Sequence, residues 1–232
     1  VAVPERNAVK FEDQVSFEQG AFFEPATVAL HGLNRVDYRA GECVAILGGG
    51  TIGLFTAQWA KIFGAKKVVV FDISPERLEL AKKLGADEGI NTLDEDFMEQ
   101  AMAITEGKGY GYVYETAGVT TTMKYAFGLA ANKAGVCFIG TPTKGLSFGV
   151  DEWENINRKE FILTGSWMSY SAPFPGKEWI LTAHYFKTGQ LKFDDSLIFK
   201  KIPLKNIDDA FEMYKTPGAV KGKILIDSEV SL

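Results

Sequence analysis

Three glycines, one aspartate and one glutamate carry most of the chemistry that can be read from this chain. Gly48, Gly50 and Gly53 fit the pattern GxGxxG, directly after the apolar run Cys43–Leu47 and at the start of a helical pattern. Gly48 permits a tight turn, Gly50 lets the backbone approach a pyrophosphate, and Gly53 lets the helix pack against the strand. The free amides at that helix start, at Thr51 and Ile52, face an anion with the helix dipole behind them. Asp72 ends the next apolar run, 19 residues beyond Gly53. There its carboxylate can accept hydrogen bonds from adenosine ribose hydroxyls and repel the extra phosphate of NADP, so NAD is the expected cofactor. A bare GxGxxG also fits an ordinary loop, with Asp72 as a helix-capping acid; strand, glycines, helix, strand and aspartate in register are far more specific. Arg77, five residues past Asp72, either covers the adenine edge or is simply solvated.

A parallel sheet brings such residues together because ligands bind at the carboxyl ends of its strands. Short β-branched runs alternate here with longer amphipathic stretches, the pattern of βαβ units buried on both faces. Strands are expected at 43–47, 67–71, 88–90, 112–115, 136–140 and 161–166, and helices at 51–63, 74–85, 94–105, 121–131 and 178–187. Ser74-Pro75 opens its helix with a favoured cap and a proline in the first turn, and Gly85 ends it. The residues after the later strands should then surround a nicotinamide: Thr116, Ala117 and Gly118; Gly140 and Thr141; Trp167 and Met168. The run 166–176 is dense in hydroxyl and aromatic groups and serves either as a polar substrate pocket or as a packing loop stiffened by prolines. The expected fold is α/β, a doubly wound parallel sheet. It divides into a leading piece at 1–28, a dinucleotide-binding domain at 29–189, and a piece at 190–232 with a strand at 197–202, a helix at 207–214 and a last strand at 223–226. Terminal pieces this short cannot form a core alone.

The 232 residues are 46% apolar and 24% charged, and the formal net charge is −5, so no basic field draws the chain to nucleic acid or anionic lipid. No apolar run approaches the length of a membrane span, and no signal segment opens the chain, so a cytoplasmic protein with no membrane partner is expected. Cys43 and Cys137 lie far apart without a CxxC pattern, which argues for reduced thiols rather than a disulfide or metal framework. Val1-Ala2-Val3-Pro4 does not resemble a translation start, and the chain is expected to be a piece of a longer one.

Glu24-Pro25 with Ala29-Leu30-His31, the GGGTIG turn, Asp72, ETAG at 115–118 and the closing Gly222-Lys223-Ile224-Leu225-Ile226 resemble the zinc-dependent medium-chain dehydrogenase/reductase family over essentially the whole chain. GAFFEP at 20–25 and the long, unusual GSWMSYSAPFPGKEW at 165–179 resemble its polyol-phosphate branch. The resemblance implies a Rossmann domain flanked by parts of a mostly-β catalytic domain. It implies NAD and zinc as cofactors, and NAD-dependent oxidation of a secondary alcohol, with galactitol 1-phosphate going to tagatose 6-phosphate if the closer likeness holds. It implies that Glu24 lies at or beside the zinc as catalytic residue and metal ligand, directly or through water; without it, Glu24 reads as an acid leading a helix. Roughly 100 residues of the family's catalytic domain, which bring its Cys and His-Glu ligands, are absent here. Neither cysteine nor His31 or His184 matches a ligand position, so this polypeptide alone is expected to lack dehydrogenase activity. A homo-oligomer is also implied, with the edge of the sixth strand a natural contact. The competing readings are a zinc-free NAD(P)H reductase of the same fold and a non-catalytic NAD-sensing module.

Overall fold

A computed structural model describes residues 2–169, 173–216 and 218–228. Helix α1 (Phe17–Ala21) and helix α2 (Phe23–Leu33) precede β1 (Cys43–Leu47) and α3 (Thr51–Ile62). β2 (Lys67–Asp72), α4 (Pro75–Leu84), β3 (Glu88–Asn91) and α5 (Phe97–Ile104) complete one half of the sheet. β4 (Tyr110–Glu115), α6 (Thr120–Leu129), β5 (Ala130–Phe138), α7 (Val150–Lys159) and β6 (Ile162–Gly165) form the other. The strands pair in parallel in the order β3-β2-β1-β4-β5-β6, so β1 and β4 meet where the winding reverses. This is the doubly wound sheet that the alternation of apolar runs predicts. α8 (Gly176–Lys187) follows, and then a βαβ unit of β7 (Ile198–Pro203), α9 (Ile207–Tyr214) and β8 (Lys223–Asp227), a separate parallel pair. Among the described residues, no helix is long and apolar enough to cross a membrane.

Both faces of the sheet are covered. On one side α2, α3 and α8 bury Phe22, Leu30, Phe55 and Trp59, all fully enclosed. Trp59 donates its indole N–H to the carbonyl of Ala26 at 2.8 Å, and Phe23 of α2 stacks on Phe186 of α8 with centroids 5.4 Å apart. On the other side Phe127 of α6 gathers Phe138, Phe148, Trp153 and Phe161 around it. Such aromatic clusters contribute beyond their buried area.

Local chemistry explains the elements that match expectation and those that do not. Ser74 caps α4 by accepting from Arg77 N–H, and Gly85 closes it at φ 117°. The expected helix at 94–105 shortens to α5, and the one at 121–131 ends at Leu129, because Ala130 already joins β5. α7 is unanticipated: only Val150, Trp153 and Ile156 are apolar along it, and no residue of it is buried. It forms because the Glu152 carboxylate accepts the Gly149 N–H at 2.6 Å at its start, while at its end the Lys159 ammonium donates to the carbonyls of Phe127, Gly128 and Ala130. Those carbonyls lie where α6 ends, so one lysine side chain satisfies acceptors that the helix leaves open. α2 runs straight through residue 28.

Candidate active site

The glycine turn is fixed by backbone contact. Gly48 takes φ 107° and donates its N–H to the Phe71 carbonyl at 2.7 Å. A Cβ at Gly53 would sit 1.8 Å from the Gly48 carbonyl oxygen, so no side chain fits there. Gly50 is the N-cap of α3 without a side-chain cap, and the space a Cβ would point into is open to beyond 4 Å. Among the described residues no side chain caps the first turn of this helix, so the amides from Thr51 to Gly53 face that opening, an arrangement suited to a pyrophosphate.

Asp72 lies at the C-terminal end of β2 with its side chain 6% exposed. One carboxylate oxygen accepts the Gly49 N–H at 2.7 Å and the other the Ser74 N–H at 2.9 Å, and the Arg77 guanidinium is 3.6 Å away. Arg77 is thus neither free in solvent nor remote: it bounds the cleft of about 260 Å³ above the turn. Across the cleft stand Lys221 and Lys223, which the sequence reading did not single out. They are exposed, and Lys221 reinforces the Ser74 hydroxyl in holding the Glu76 carboxyl below its usual range. The signal that could have found them is the pair of lysines flanking Gly222, in a chain with an excess of acidic residues.

The ends of β4 and β5 interlock beside this turn. The Thr116 hydroxyl donates toward the carbonyls of Leu47, at 3.0 Å, and Gly48, at 3.1 Å. Gly118 has φ 70°, and a Cβ at Gly140 would lie 2.2 Å from the Gly118 nitrogen. Thr141 closes on the same spot, its carbonyl oxygen 2.6 Å from where a Gly118 Cβ would be. Gly48, Gly50, Thr51, Ile52, Gly53, Asp72, Arg77 and the 116–118 and 140–141 turns therefore share one end of the sheet. Trp167 and Met168 follow β6 at the same end, but stand 63% and 54% exposed, and Met168 has a left-handed backbone at φ 52°. Such backbone costs a non-glycine residue energy and clusters at ligand sites. Residues 170–172, in the middle of the hydroxyl-rich run, lie outside the described residues.

Glu115, ahead of the turn, is a residue that sequence reasoning missed as a working group. It is fully buried; one oxygen accepts from the N–H groups of Ala117 and Gly118, both at 2.9 Å, and from the Thr122 hydroxyl at 2.6 Å. Burial pushes its pKa upward against the pull of those donors.

Glu24 sits in the first turn of α2, exposed, with its main-chain carbonyl accepting from the Thr27 hydroxyl at 2.7 Å. Among the described residues no group of three or more His, Cys, Asp or Glu is placed to hold a metal ion. Cys137 is buried, which pushes its thiol up to about 12 and disfavours the thiolate a metal needs. His31 pairs with Glu178 at 3.1 Å, and His184 packs edge-on against Tyr185. The described residues by themselves do not make a zinc site.

A family model described as zinc-binding dehydrogenase matches residues 51–181. The chain belongs to that family. Galactitol 1-phosphate 5-dehydrogenase of Escherichia coli strain K12 is 36% identical over 179 residues, covering 77% of this chain and 52% of that protein. The crystal structure of galactitol-1-phosphate dehydrogenase from Escherichia coli superposes with a TM-score of 0.87 at 33% identity, covering 97% of this chain and 65% of the other. A zinc-binding dehydrogenase from Sinorhizobium meliloti bound to NADP superposes with a TM-score of 0.82 at 30% identity, over 97% and 63% of the two chains. The chain thus spans about half the length of the curated relative. A nicotinamide dinucleotide and zinc are the cofactors of this family; the glycine turn fits the first, and the zinc-binding domain lies partly outside this chain.

Proposed function

We propose that this chain is the dinucleotide-binding part of an NAD-dependent polyol-phosphate dehydrogenase that oxidises galactitol 1-phosphate to tagatose 6-phosphate. The observation that carries the proposal is Asp72, held rigidly at the end of β2 beside the uncapped α3 amides, in a chain 36% identical to galactitol 1-phosphate 5-dehydrogenase. The α3 amides and the Arg77, Lys221 and Lys223 cations hold the pyrophosphate, and Asp72 receives the adenosine ribose hydroxyls. Thr116 to Gly118, Gly140 and Thr141 offer backbone groups to the nicotinamide carboxamide, and Trp167 and Met168 close over its ring. When bound, NAD would supply the hydride acceptor for oxidation of the substrate's carbinol carbon. Glu24 stands on the substrate side, available to a zinc ion whose remaining donors come from elsewhere. The chain by itself is inactive for lack of those donors, works in the cytoplasm, and self-associates along the open edge of β6, where Ile162 is 64% exposed.

The test is turnover by the protein that the complete reading frame encodes. NADH should form with galactitol 1-phosphate in preference to unphosphorylated galactitol and sorbitol, and chelation should abolish it. Activity untouched by chelation, or NADH formed by the 232-residue chain alone, would contradict the proposal. Light scattering reads the self-association; a monomer would remove the edge contact. The second reading, an NADP-dependent enzyme, is favoured by the NADP-bound relative and by the lysines at the cleft, and a tighter fit for NADPH than NADH would establish it.

A further inference from the structure

Glu115 stands out as a fully buried acid whose second oxygen has no hydrogen-bond partner among the described residues. Its main-chain carbonyl accepts from the N–H groups of both Ile139, at 2.8 Å, and Gly140, at 3.0 Å. Its side chain turns back on the loop after β4 and takes three donors there on one oxygen, the last of them from the first turn of α6. The other oxygen lies 2.8 Å from where a Cβ at Gly140 would be. One residue therefore grips the turn after β4, the start of α6 and the turn after β5 simultaneously. We propose that Glu115 is the positioning residue of the nicotinamide end of the cleft, setting the spacing of the 116–118 and 140–141 turns without touching the cofactor. A carboxylate left half-satisfied in the interior is costly for stability alone, and it stands where two ligand-facing turns must keep their distance.

The inference rests on the dinucleotide reading above, and the two can be separated on the 232-residue chain by comparing NADH with AMP, which carries only the adenosine half. In calorimetric titrations Glu115→Leu should weaken NADH roughly tenfold or more while leaving AMP within about twofold, since hydrogen bonds to a charged acceptor are lost only at the far turns. Glu115→Gln, whose amide oxygen still accepts from the three donors, should recover most of the NADH affinity. Should Glu115→Leu fail to fold by circular dichroism, Thr122→Val removes one of the three donors and should reproduce the same split in smaller measure. NADH and AMP weakening together, or NADH unchanged in every variant, would overturn the positioning role while leaving dinucleotide binding intact. A wild-type chain that binds neither NADH nor AMP would overturn both.

Discussion

The two sides of the candidate site are built in different ways. The proposed cofactor side is framed by backbone: carbonyls and amides of the turns after β1, β4 and β5 approach so closely that a single added carbon would collide at Gly53 or Gly140, and the Asp72, Arg77, Lys221 and Lys223 side chains are set around that frame. The proposed substrate side rests on the exposed side chain of Glu24 on the first turn of α2, together with exposed Trp167 and Met168 after β6, which are proposed to border the nicotinamide. The adjoining β7-α9-β8 unit likewise shows Phe211, Leu204 and Tyr214 to solvent. A pocket for a cofactor of one shape can be written into chain geometry. A pocket that differs from enzyme to enzyme is carried by side chains, and here they stand on a chain that spans about half the length of its curated relative.

That contrast predicts a graded set of effects. The largest belongs to Gly53→Val, which drives a side chain into the Gly48 carbonyl: NADH affinity should fall at least about a hundredfold by titration, because both the turn and the helix start are displaced. Retained affinity would show that the turn is not the binding element. Next comes Lys159→Met, which leaves the carbonyls at the end of α6 without their cation; thermal melting should show a loss of about 2 kcal/mol with NADH affinity unchanged.

An acid transition follows from Asp194, which accepts from Ser196 and pairs with Lys83 of α4. The Lys83 ammonium first, then the Ser196 donors, hold its carboxyl down at about 2, below the ordinary aspartate value. A folded-state pKa below the unfolded one stabilises at neutral pH, and that stability is lost as pH falls from about 4 toward 2. Asp194→Asn should remove this part of the acid sensitivity, worth about 1 kcal/mol or less. The smallest effect is Glu24→Gln, which should leave melting temperature and NADH affinity within error and alter only turnover and metal content of the complete enzyme. A Glu24 variant that weakens NADH would blur the division between the two sides.

The parts of the molecule legible in the sequence are those whose causes are local. The GGGTIG turn, the Ser74-Pro75 cap, the Gly85 stop and the apolar runs of β1 and β2 each announce themselves within a few residues. α7 does not, because, although the Gly149–Glu152 contact at its start is local, its end is held by Lys159 reaching to α6 and its Trp153 packs on Phe127, contacts that join distant positions. The early start of β5 is hidden for a similar reason: Ala130 joins the sheet through pairing with Tyr110, although its own stretch, AANKA, has little strand character. Glu115 reads in sequence as a polar strand end, and only folding brings the β5 turn against its carboxylate. Lys221 and Lys223 meet the glycine turn only because β8 ends up beside it.

We propose that this end of the sheet binds NAD, with Asp72 excluding the phosphorylated cofactor. Titration of the 232-residue chain with NADH and with NADPH tests it most directly. Saturable NADH binding is expected, with NADPH at least about tenfold weaker, and a narrowing of that gap in Asp72→Ser. Absence of NADH binding, or NADPH binding as tight as NADH, would contradict it.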